Sequence, residues 1–149
     1  MGQGGGGDIY DAFGRWDNVT IPAGATIDVA YVTVEEKTDT GDGGQKVEIA
    51  FNLAGDAVAP TDRAEYAALV QTVARVAWDD IDFTADTPTN TPSLATIVQE
   101  VLDGGGWNSG QAMMVLFNDD GSAANNFIGS WSYDGDSSRA YKLHVEYST

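Results

Sequence analysis

The 149-residue chain has no cysteine, one histidine, four prolines and only seven basic side chains. Without cysteine there is no disulfide framework, no thiolate metal ligand and no cysteine nucleophile, so the core must hold by packing alone. With one histidine, any nucleophile–histidine–acid arrangement has to use His144. That residue stands between Leu143 and Val145 in an alternating stretch and reads as an outward-facing strand residue, which argues against a hydrolytic triad. Seven Lys and Arg against 23 Asp and Glu give a formal charge of -16. The cations Arg15, Lys37, Lys46, Arg63, Arg75, Arg139 and Lys142 are scattered, so nothing clusters to neutralise a phosphate backbone. Nucleic acid and anionic membrane are therefore excluded as expected partners, and the acidity serves solubility or tolerance of high salt.

No apolar run approaches the roughly 20 residues needed to span a bilayer. The start, Met1 to Asp8, lacks the basic residues and apolar stretch of a secretory signal. A protein of this kind reaches the outside of a cell by being carved from a longer chain or by release with a virus particle.

The length suits one domain with one core. Residues 1–14 are expected to be a glycine-rich tail, too poor in side chains to order itself, and residues 15–149 a single domain. If the tail is ordered, a neighbouring subunit is the expected partner, with Gly4, Gly5, Gly6 and Gly7 as assembly contacts. From Arg15 onward the pattern is that of strands. Residues 15–21 end at Pro22 before a turn at Ala23-Gly24. Residues 27–34 are β-branched and aromatic, with Ile27, Val29 and Tyr31 on one face and Ala30, Val32 and Val34 on the other, as in a central strand. Residues 46–53 turn Val47, Ile49, Phe51 and Leu53 inward. The stretch 64–78 mixes helix formers with alternation and is expected to be a loop or short turn followed by a strand ending at Trp78.

One helix is expected, over about 92–102. Thr91 caps it, Pro92 takes the first position, Gly104 closes it, and Leu94, Ile97, Val98, Val101 and Leu102 form one apolar stripe that lies on a sheet. Residues 111–117 read as a buried strand ended by the turn 118–121, and residues 126–133 as another. Residues 140–147 form the last, with Tyr141, Leu143, Val145 and Tyr147 inward. The spacing predicts an all-β sandwich of jelly-roll or Greek-key type with one short helix packed on a sheet.

Several segments in fixed order carry a resemblance. They are Arg15-Trp16, Asn18 through Ile27, the strand through Tyr31, Trp78, Thr91 through Glu100, Gly106 through Met113, Ser132 through Gly135, and Leu143 through Tyr147. Together they resemble a β-sandwich module that recurs in bacterial surface proteins and in structural proteins of tailed phages. The module has the outline of carbohydrate-binding jelly rolls, but the resemblance carries over no functional residue. Here only the glycine tail precedes Arg15-Trp16, which leaves an edge strand missing and backbone groups open to another chain. The resemblance implies a non-catalytic protein of a virion surface, a capsid-decoration or tail-associated subunit, with other protein subunits or copies of itself as partners. The alternative is a carbohydrate-binding or adhesin module of a secreted bacterial protein, with a glycan as partner.

No catalytic residues are assigned. The adjacent pairs Asp79-Asp80 and Asp119-Asp120 sit in turns and do not face each other across a cleft, as glycoside hydrolysis requires. Asp119, Asp120, Asp134 and Asp136, with Asp39 and Asp42, place hard oxygen ligands near glycines, so structural calcium is the one cofactor considered. No EF-hand is completed, since the twelfth position counted from Asp134 is Val145. Trp107, Trp131 and Tyr133 lie near loops and are the candidate platforms for stacking on sugar rings; the alternative is that both tryptophans pack in the core.

Overall fold

The computed structural model describes residues 1–40, 43–81, 84–104 and 106–149, and only the backbone of residues 38–40. The fold is an all-β sandwich of two antiparallel sheets with two short helices. The first sheet is built on β4 (Thr26–Thr40), which pairs with β10 (Lys142–Ser148) along residues 26–33 and with β9 (Asn126–Ser130) along residues 36–40. β7 (Pro88–Asn90) also pairs with β4, and β1 (Gly2–Gln3) joins β9 to β2 (Ile9–Tyr10). The second sheet has the order β3 (Ala12–Val19), β8 (Gln111–Asp119), β5 (Lys46–Phe51), β6 (Val76–Asp79).

The inner faces follow the alternation of the sequence. Ala30, Val32 and Val34 of β4 meet Val47, Ile49 and Phe51 of β5 and Met113, Val115 and Phe117 of β8 in one core. β8 is apolar on both faces because both are covered. Its Met114 and Leu116 pack with Ala50 and Ala57 beneath Tyr66 and Leu69, which belong to the segment crossing the outside of the second sheet. That segment holds α1 (Arg63–Ala67), a one-turn helix where a loop or turn was expected, started by Asp62 accepting from the Glu65 amide at 2.8 Å.

The expected helix exists as α2 (Ala95–Asp103), and its apolar stripe is buried as predicted. It begins later than Pro92 because Thr91 is engaged with the sheet. The Thr91 hydroxyl accepts from the Val32 amide at 3.1 Å and donates to the Pro92 carbonyl at 2.9 Å, and Leu94 takes the capping position. Gly104 closes the helix by donating to the Glu100 carbonyl. Gln99 pins α2 to the sheet, accepting from the Ile27 amide and donating to the Ala25 carbonyl.

Three further expectations are corrected. Residues 27–34 do not alternate throughout: β4 carries one extra residue between Val29 and Ile27 against β10, so Ile27 is buried with Ala30 while Val29 faces outward. The strand expected over 126–133 stops at Ser130. Tyr147 is 41% exposed at the open end of the strand instead of packed inside.

Most consequential is the N-terminus. Residues 1–14 are not a tail held by a neighbour, and the domain does not begin at Arg15. Met1 is buried and its amine donates to the Ile128 carbonyl at 2.7 Å, β1 lies between β9 and β2, and β3 starts at Ala12. Gly4, Gly5, Gly6 and Gly7 form the β1–β2 loop, in which the Gly7 amide donates to the Gly4 carbonyl and the Gly4 amide to the Asp8 carbonyl. Glycine is needed at position 2: φ is +118°, and a Cβ there would lie 2.3 Å from the Asn126 carbonyl oxygen. Absence of a side chain is what lets this strand approach β9.

Candidate functional site

The residues singled out from the sequence do not come together. Trp107 is buried, and its indole N–H donates to the Ile21 carbonyl at 3.0 Å, so it offers no face to a ligand. Trp131 follows β9 in the loop that leads to β10. The Lys37 ammonium lies 4.6 Å and the Arg139 guanidinium carbon 4.4 Å from its ring centroid, and Arg139 is held there by Glu35 and Asp86. Cations already occupy positions over its ring. Only Tyr133 is freely exposed, at 76%.

The four aspartates lie in two separate turns. Asp119 accepts from the Gly121 and Ser122 amides, and Asp136 accepts from the hydroxyl and amide of Ser138, bonds that hold its carboxyl below the usual range. Asp120 and Asp134 are exposed. Among the described residues no three acidic or histidine side chains converge in the way a calcium ion requires. Asp42 and the side chain of Asp39 lie outside the described residues.

Two surface features form where sequence reasoning placed none. The first is the seam where β10, the last strand of its sheet, runs beside β3, the last strand of the other. At one end the seam is shut. The Trp16 indole N–H donates to the Tyr141 carbonyl at 3.0 Å, and Gly14 leaves room for the Tyr141 ring, which a Cβ would meet at 2.5 Å. At the other end it opens into a groove of about 310 Å³ lined by the apolar Trp16, Val19, Ile21, Leu143, Val145 and Tyr147 and by the polar Asp17, Asn18 and Thr20. A bulge in β3 between Trp16 and Val19, with Asn18 at φ +53°, bends that strand away.

The second feature is a hollow of about 280 Å³ between β2, β3 and α1. Tyr10 and Phe13 are 42% and 38% exposed there, and the Phe13 and Tyr66 rings lie 6.4 Å apart. Tyr66 donates to Asn118 Oδ1 at 2.8 Å, which orients its ring, and burial raises its phenol well above the ordinary value. Arg63 donates to the Ile9 carbonyl at 3.3 Å and stands 3.8 Å from Asp11, leaving charged groups at the rim. Aromatic faces with polar groups at the margin suit a flat, hydroxylated ligand. The sequence signal was present in Tyr10 and Phe13, but both fell in the segment read as a tail.

Comparison with family models, with curated proteins and with solved structures returns no significant match.

Proposed function

We propose that this chain is a non-catalytic surface subunit of a tailed-phage particle, a capsid-decoration or tail-associated protein that works by assembly. One observation carries the reading: among the described residues β10 ends its sheet with its outer edge unpaired, beside an open groove of mixed polar and apolar lining. Free backbone donors and acceptors next to half-buried apolar side chains and the exposed Tyr147 are what a neighbouring subunit satisfies. The charge of -16 fits the same role, since it keeps free subunits soluble until they meet their partner. Immunogold electron microscopy of tailed particles from the source culture, with antibody against this chain, tests it. Regular labelling of heads or tails is the expected result. Particles that carry no label, and whose mass spectrum lacks the 15.7 kDa chain, overturn it.

A second reading, a glycan-binding or adhesin module acting outside the cell, is favoured by the aromatic hollow around Tyr10, Phe13 and Tyr66. A glycan array probed with the wild type and with Phe13→Ala tests it. Binding that falls in the variant supports the reading, and no binding by the wild type removes it.

A further inference from the structure

The free edge of β10 carries a pattern that matches itself. Val32 and Ala30 of β4 accept bonds from the Thr91 and Leu94 amides, on the side away from β10. Backbone groups in an antiparallel strand alternate in direction, so Tyr31 of β4 turns its own toward β10, where it is paired with His144. By the same alternation Lys142, His144 and Glu146 face β4 with their backbone, while Leu143 and Val145 turn their N–H and C=O groups outward. The Tyr141 carbonyl agrees with this parity, since it accepts from Trp16 on the outward side.

We propose that two copies of this chain associate through β10, antiparallel about a two-fold axis at His144, which extends the first sheet across the dimer. The proposal deepens the assembly reading above and rests on it. In this register Leu143 of one copy bonds Val145 of the other in both directions, using the outward N–H and C=O groups of both residues on each strand. Lys142 falls opposite Glu146 of the second copy, twice by symmetry, and at a non-hydrogen-bonded position, where facing side chains come closest. A slip that set Leu143 against Leu143 would place Lys142 opposite His144 and lose both ion pairs. The opposite slip, Val145 against Val145, leaves Lys142 facing Ser148 and sets Glu146 only against the imidazole of His144, so the Lys142–Glu146 ion pairs favour the central register. On the inner side Leu143, Val145 and Tyr147 of each copy cover those of the other and close the open groove beside Trp16 and Val19.

Light scattering after size exclusion and sedimentation equilibrium of the full chain, at salt high enough to screen the mutual charge, read the outcome. The wild type is expected at twice the 15.7 kDa chain mass. Lys142→Glu or Glu146→Lys alone puts like charges opposite each other and raises the dissociation constant roughly tenfold or more. The double exchange, Lys142→Glu with Glu146→Lys, restores it. Val145→Pro removes an outward N–H that only the second copy uses and yields a folded monomer, because proline is tolerated on a free edge. A wild type that sediments as a single chain at every concentration, a double exchange that fails to restore association, or a dimeric Val145→Pro overturns the pairing. A monomer that nevertheless labels particles ends this proposal and leaves the surface role standing, whereas a dimer absent from particles does the reverse.

Discussion

The indole N–H of Trp16 donates to the carbonyl of Tyr141 across 125 residues of sequence, and it ties the last strand of one sheet to the approach of the last strand of the other. This latch shuts one end of the seam and leaves the other end open. Replacing Trp16 with Phe keeps a ring in the core but removes the donor, which costs about 1 kcal/mol. Urea unfolding is expected to show a lower midpoint with an unchanged slope.

Gly2→Ala tests the N-terminal strand. The new Cβ would stand 2.3 Å from the Asn126 carbonyl oxygen and 2.7 Å from the Phe127 Cα, at a φ of +118° that side chains avoid. Strain of this kind costs on the order of 1–3 kcal/mol. Amide exchange is expected to rise in residues 1–10 and along β9 while α2 stays protected; unchanged protection of β9 would refute the docking.

Ile97→Ala on α2 removes a fully buried side chain from the main core. The loss is expected to be about 2–5 kcal/mol, against within about 0.5 kcal/mol for Val58→Ala at a site 75% exposed. Thermal melts of the pair show whether α2 is part of the core or a removable cover.

Stability is expected to fall with rising pH in the alkaline range. Burial pushes the Tyr141 phenol up to about 12 from an ordinary value of 10, with the Ser130 hydroxyl acting weakly against it, and burial raises Tyr66 in the same direction. The unfolded chain releases these protons first, so the folded state holds more protons and each step upward from pH 10 favours unfolding. For Tyr141 the loss accumulates to about 2–3 kcal/mol by pH 12. Denaturant midpoints between pH 9 and pH 12 should be flatter in Tyr141→Phe than in the wild type.

Much of the fold was legible in local pattern. The alternation of Val47, Ile49 and Phe51, the continuous apolar run within 111–117, and the 3, 4, 7, 8 stripe of α2 name core residues that the sandwich buries, whereas Leu53, expected inward, lies past the end of its strand and is only half-buried. Boundaries were less legible, because a cap has more than one use: Thr91 can cap a helix or bond the sheet, and the Val32 amide takes it. The candidate site was least legible. Trp107 is a loop residue by position and a core residue by packing, and nothing local distinguishes the two.

What the sequence determined by itself is therefore the class of fold: alternation and apolar stripes are properties of neighbouring residues, and no cysteine or basic cluster pulls the chain toward another class. What only the tertiary structure decided is where the glycine segment lies, which strands end their sheets, and which aromatic residues face solvent. Glycines that leave a tail unable to order itself also let β1 fit against the Asn126 backbone, and the choice rests on a strand more than 100 residues away. The free edge of β10 and the groove beside Trp16 arise in the same way, from how two sheets meet.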